Sequence, residues 1–184
     1  PNDERIISKR GSKRVMLKNV QEAKFRSTLT PIARLVLRPE AQKDLDFDSF
    51  FTHILAHEIM HGLGPHSTKV DGKDSTPRQD LKETYSTIEE AKADVTGLWA
   101  LMYMMDKGLL KDTLGQGEAA ERKLHNTFLA SAFRTLHFGL TDSHARGMAI
   151  QLNYLLDKGG FISHGDGTFS VDFKKIRQAV TDLD

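Results

Sequence analysis

Apolar residues recur at helical spacing through most of this chain. Phe50, Phe51, Ile54, Leu55, Ile59 and Met60 form a broad apolar stripe. Asp46 and Asp48 precede it as alternative N-caps, and Gly62, Gly64 and Pro65 end it, which predicts a helix from about Asp48 to His61. Leu81, Tyr85, Ile88, Val95, Leu98, Trp99, Met102 and Met105 predict a longer helix over 82–107, closing at Gly108. Further helices are predicted over 117–138 and 142–158, with a short last one from Phe173 to about Val180. Nearer the start, helical spacing begins near Val20 and Ala23, a second segment runs from Pro31 to Leu37, and Arg38-Pro39 is a break. Strand patterning is scarce. Val15-Met16-Leu17 reads as a short strand. Phe161–His164, a Gly165-Asp166-Gly167 turn and Thr168–Val171 read as a β-hairpin. Residues 62–80, rich in Gly, Ser, Asp and Pro, read as an exposed loop. The predicted class is mainly α with a minor β-hairpin, without internal repeats.

Composition narrows the picture modestly. At 184 residues and 39% hydrophobic, the chain is long enough for one domain around one core. A net charge of +1 gives no global pull towards nucleic acid or membranes, and the apolar runs are too short to span a bilayer. The basic run Ser8–Arg14 contains no aromatic residue and reads as a solvated surface segment, so no nucleic-acid partner is expected. Zero cysteines removes disulfides, thiolate ligands and cysteine catalysis, and fits a cytoplasmic setting. The opening Pro1-Asn2-Asp3-Glu4 resembles neither a signal peptide nor a natural initiation.

Two short runs carry the chemistry. His57-Glu58-Ile59-Met60-His61 reads H-E-x-x-H and falls in the last turns of the first predicted long helix. Residues i and i+4 share a helix face, so His57 and His61 aim at one point. Glu58, about 100° round the helix, flanks that point and can take a proton from an activated water as general base. Zinc in catalytic sites takes three protein ligands. The third comes from Glu89-Glu90-Ala91-Lys92-Ala93-Asp94 on the next helix. Glu90 is assigned as ligand because Asp94 follows it by four and can accept the spare N–H of His57 or His61. Glu89 is left to orient a histidine or a substrate amine.

At these residues the chain resembles the dipeptidyl peptidase III family of zinc peptidases, which pairs a histidine–glutamate helix with a second helix carrying E-E-x-x-A-E or a variant. Tyr85-Ser86-Thr87-Ile88 resembles the family's approach to that motif. The well-studied branch has three residues between its histidines, whereas this chain has two. That spacing, Gly62-Leu63-Gly64-Pro65-His66 and the run Ala91–Leu101 are similar to a branch found in bacteria and in plant proteins that carry a nudix domain. Nothing in the chain resembles the nudix glutamate motif. The run from His144 to Asp157 resembles a family helix whose first histidine assists catalysis, which implies that His144 hydrogen-bonds the oxyanion. The family's arginine four positions later is Met148 here.

The resemblance implies a helical, zincin-like catalytic lobe. Residues 1–184 would then be a single metal-binding domain, a fragment of a longer two-lobed protein whose second lobe is its partner. It implies a gluzincin-type metallopeptidase with Zn2+ on His57, His61 and Glu90, acting on short peptides. His53, one turn before His57, and His66, after the helix, are candidate substrate contacts. His125, His137 and His164 lack a paired acid and read as surface or core histidines. The alternatives are a metal-stabilised lobe that binds peptide without cleaving it, and a hydrolase of a non-peptide amide or ester.

Overall fold

The computed structural model describes residues 13–184. The chain is mainly helical. A bent helix opens it: α1 (Lys18–Lys24) runs through a widened π turn at Phe25–Leu29 into α2 (Thr30–Val36). Pro31 explains the widening. It has no N–H to donate, and the Thr30 N–H instead reaches back five residues to the Phe25 carbonyl. A single turn, α3 (Pro39–Gln42), leads to α4 (Phe47–Met60).

After α4 come the hairpin strands β1 (Thr68–Val70) and β2 (Lys73–Ser75), then α5 (Pro77–Leu81) and the long α6 (Tyr85–Asp106). The turn α7 (Lys111–Leu114) precedes α8 (Gly117–Leu136) and α9 (Ser143–Asp157). Strands β3 (Phe161–Ser163) and β4 (Phe169–Val171) form a second hairpin, and α10 (Ile176–Leu183) ends the chain. Both hairpins are antiparallel and two-stranded.

Two expectations are corrected. Val15–Leu17 forms no strand; it has no pairing partner among the described residues. The segment 62–80 is not simply a loop. Asp71 and Gly72 take positive φ, 51° and 76°, the tight turn that closes β1 on β2. An Asp-Gly pair is a hairpin signal, masked here by the surrounding charges. Of the basic run, Ser8–Ser12 lie outside the described residues.

The core sits between α6 and the helices around it. Leu98 and Leu101 of α6, Leu124 and Leu129 of α8, Leu155 of α9, Phe161 of β3 and Ile176 and Val180 of α10 are fully buried. The second hairpin is tied to the end of α2 by the Leu37–Phe169 bridge, with Arg38 N–H donating to the Phe169 carbonyl at 3.2 Å. Helix α4 starts firmly: the Asp46 carboxylate accepts from the Ser49 N–H at 2.9 Å, and the Asp46 N–H donates to Thr127 of α8 at 3.1 Å. No described helix is long and apolar enough to cross a membrane.

Candidate metal centre

Helix α4 presents His53, His57 and His61 one turn apart on a single face, and α6 crosses that face. Two glycines allow the close crossing. A Cβ on Gly97 would stand 3.1 Å from the His57 backbone nitrogen, and one on Gly147 of α9 would stand 3.0 Å from the Ala91 nitrogen. Interior helix glycines cost about 1 kcal/mol each relative to alanine. Here they let three helix backbones converge beside Glu90.

The histidine rings are held from behind. His57 Nδ1 lies 2.7 Å from Asp94 Oδ1, and His61 Nδ1 lies 2.9 Å from Glu89 Oε1. Each carboxylate accepts the Nδ1–H, so the neutral rings turn their Nε2 lone pairs forward. Asp94 is fixed in turn: Gln151 Nε2 donates to its Oδ2 at 3.3 Å. Glu89 is paired with Lys92 at 2.9 Å.

The forward atoms converge. His57 Nε2 and His61 Nε2 are 3.1 Å apart, and Glu90 Oε2 stands 3.2 Å from the first and 3.5 Å from the second. Two ligands held at 2.0–2.1 Å by a tetrahedral zinc stand about 3.4 Å apart. The three spacings therefore fit a cation that touches all three. Glu90 Oε2 is buried and has no hydrogen-bond partner among the described residues. Three lone-pair atoms this close repel one another unless a cation or a proton lies between them. Among the described residues, neither Glu90 nor Asp94 is paired with a lysine or arginine; both face imidazoles.

The electrostatics express the same demand. Burial favours the neutral His57 ring, but its contacts with Asp94 and Glu90 outweigh burial and push its pKa up to about 10. The Glu89 hydrogen bond, helped by Glu90, pushes His61 up to about 9. Burial works against the charged Glu90 and Asp94, yet the histidines hold both carboxyls below their ordinary range. Raised histidines beside lowered carboxyls make this a pocket that favours positive charge.

His144, in the first turn of α9, is also close. Its Nε2 is 3.1 Å from Glu90 Oε2, and its ring stacks on that of His57 with centroids 6.0 Å apart. His57, Glu90 and His144 also form a group whose ligand atoms lie within 4.8 Å of one another. The two trios differ in preparation. The His61 ring is fixed through Nδ1, whereas the His144 side chain is 61% exposed and its Nδ1 stands 3.9 Å from Asp142. The His61 ring is therefore the more preorganised of the two.

Glu58 points outwards, 40% exposed, and ion-pairs with Arg14 at 2.5 Å. Both line a cleft of about 860 Å3 that also includes His61, His66, Tyr85 and His144. His66 lies on its exposed rim. His53 does not line that cleft but a smaller cavity beside His57: it is mostly buried, with Nε2 3.0 Å from the Asp94 carbonyl oxygen and its ring edge-on to Phe128. Its place is between α4 and α6, behind the His57–Asp94 pair. His125 is a core histidine, bonded to the Glu121 carbonyl and Met102, and burial pulls its pKa down to about 4.

Sequence reasoning missed Arg14 and Gln151. Arg14 was counted with the basic surface run, and its distance of 44 positions from Glu58 leaves no local signal. Gln151, 1% exposed, lies on the helix containing His144 and could have been suspected only from being polar on an apolar face.

Comparison with known proteins places the chain by sequence and fold. No family model matches the chain. A protein named Nudix hydrolase 3 from Arabidopsis thaliana is 50% identical over all 184 residues, which make up 23% of its length. The dipeptidyl-peptidase III structure from Corallococcus sp. strain EGB is 52% identical with a TM-score of 0.91, over the whole of this chain and 33% of that one. Dipeptidyl-peptidase III from Caldithrix abyssi is 44% identical with a TM-score of 0.89, over the whole of this chain and 34% of that one. The resemblance to dipeptidyl peptidase III seen in the motifs therefore holds along the entire chain, in sequence and in fold. The chain spans about a third of those structures and about a quarter of the plant relative.

Proposed function

We propose that this chain is the metal-holding catalytic domain of a zinc-dependent peptidase, working as one lobe of a longer protein. The observation that carries the reading is the convergence of His57 Nε2, His61 Nε2 and Glu90 Oε2 at 3.1–3.5 Å with both Nδ1 hydrogens committed to carboxylates. The likeness to two proteins named dipeptidyl-peptidase III supports a peptide substrate. The plant relative's name also denotes a hydrolase, but this chain lacks the nudix glutamate motif, so that chemistry is not transferred.

Two imidazoles and one carboxylate suit zinc, with one position left for water or substrate. Zinc bound there would supply Lewis acidity and bring a water pKa towards about 7. The protein's own groups divide the remaining work. Glu58, solvent-accessible beside His57, takes the proton from the attacking water and returns it to the leaving amine. His144 stands beside the ligand atoms and donates to the carbonyl oxygen as negative charge develops. Asp94 and Glu89 keep both ligating rings in the tautomer that presents Nε2.

The test is Glu58→Gln in the full-length protein. Zinc content should stay at about one equivalent while peptide hydrolysis falls at least about 100-fold, the general-base contribution. Zinc lost from the variant, or turnover retained, would sink the role given to Glu58. A wild-type protein that holds zinc and peptide without cleaving would point to a binding lobe instead.

A further inference from the structure

Arg134 of α8 is a partly buried cation in an odd situation. Its Nε is buried without a hydrogen bond, and no acidic side chain pairs with it among the described residues. Burial alone pulls its pKa down, with no neighbouring carboxylate opposing. Its nearest compensation is the Phe50 ring, 5.6 Å from the guanidinium carbon. A ring face offsets only part of the lost hydration, and charges withdrawn from water are ordinarily paired.

Arg134 lines a cavity of about 200 Å3 together with Lys24, Ser131 and Thr135, and the same cavity reaches His57, Glu58 and His144. Lys24 stands exposed to solvent at the edge of the cavity. Two acids touch the cavity, and both are engaged: Glu58 with Arg14, and Asp94 with His57 and Gln151. One guanidinium with a buried, unpartnered Nε, an exposed lysine and two hydroxyl side chains thus line a cavity that reaches His57 and His144. The space suits a small group rather than a drug-sized ligand. A guanidinium fork matches a carboxylate, which can accept two parallel hydrogen bonds from it.

We propose that this cavity is a carboxylate subsite, in which Arg134, with Lys24, binds a negatively charged group of the peptide beside the bond being cleaved. The inference rests on the peptidase reading and deepens it by naming a substrate preference. The carboxylate has two chemical sources: the peptide's own C-terminus, or an Asp or Glu side chain.

The experiment measures binding, so it does not depend on turnover. Full-length, zinc-loaded Glu58→Gln protein is titrated with three short peptides of one backbone: neutral with a free C-terminus, the same peptide amidated, and the amidated peptide with one Glu. The expected result is at least about tenfold tighter binding of one carboxylate peptide over the neutral amide, in keeping with charge-assisted bidentate contacts. Adding Arg134→Gln should abolish that difference while leaving the amide's affinity unchanged, and Arg134→Lys should keep part of it. Preference for the free C-terminus or for the Glu peptide identifies the source. Equal binding of all three peptides, binding of none, or a preference that survives Arg134→Gln overturns the subsite. So does Arg134→Gln lowering the melting temperature and all three affinities alike, which would mark a structural ion pair with another part of the protein. Failure of the wild-type protein to cleave any of the three peptides counts against the peptidase reading instead, and is scored separately.

Discussion

His57 and Glu58 are adjacent on α4, yet the fold treats them differently. The His57 side chain is 8% exposed. Its ring is held by Asp94, Asp94 is held by Gln151, and His53 braces the Asp94 backbone. Gly97 brings α6 against the His57 backbone itself. Glu58, one residue on, is 40% exposed and pairs, among the described residues, with Arg14. His144 is still more exposed. The inner wall is over-determined and the outer rim is loosely held. That division suits the proposed chemistry. Metal ligands must hold fixed positions to within a few tenths of an ångström, while groups that pass protons must meet solvent and substrate.

If the inner wall is the rigid part, damage there should be the most costly. Asp94→Ala strands the His57 N–H and the Gln151 amide in buried surroundings. Breaking a buried charged pair costs about 3–5 kcal/mol, and losing a ligand's supporting carboxylate weakens metal binding about 10–100-fold. Denaturant unfolding and a zinc-chelator competition measure the two effects; a normal zinc affinity would contradict the role of Asp94.

Gly97→Val ranks next. Its side chain meets the His57 backbone, so helices α4 and α6 must part, at a cost of about 1–3 kcal/mol. The ligand spacing should widen with them, and zinc affinity should fall even though no ligand has changed. Stability lost with zinc affinity intact would show that the crossing serves packing alone.

pH separates protons from metal in the same pocket. His57 and His61 have pKa values raised from 6.5 to about 10 and about 9. A raised pKa contributes stability that is complete below 6.5 and disappears as pH rises through 9–10. The chelated protein should therefore lose stability across that window, while the stabilisation given by zinc grows. Melting curves with chelator and with zinc check this; parallel curves from pH 6.5 to 10 would refute competition between protons and metal.

The smallest effect is expected on the outer hairpin. Lys69 and Asp74 are exposed and 3.9 Å apart, so Lys69→Ala should change stability by less than about 0.5 kcal/mol and leave zinc binding as it was. A larger change would mean that the hairpin takes part in the site.

Much of this was legible from the residues. The long helices were visible because each buries one stripe, and the stripe repeats in the sequence. That His57 and His61 face one point was readable because helical spacing fixes which face they share. Asp94 was recognised as a histidine's partner, though its choice of His57 over His61 was not. The hairpin at Thr68–Ser75 was overlooked because its strands are three residues long, with scarcely any apolar alternation.

The sequence by itself determined the mainly helical class, the H-E-x-x-H helix and the acidic run able to complete a metal site, since all of these follow from local period and side-chain chemistry. Only the tertiary structure decided that Glu89 serves His61 and Asp94 serves His57, that Arg14 reaches Glu58 and Gln151 reaches Asp94, and that Arg134 has no counter-ion among the described residues. These pairings join residues far apart in the chain. Those between α4, α6 and α9 depend on how closely the helix backbones pack, which two glycines permit and which is invisible until the helices are brought together.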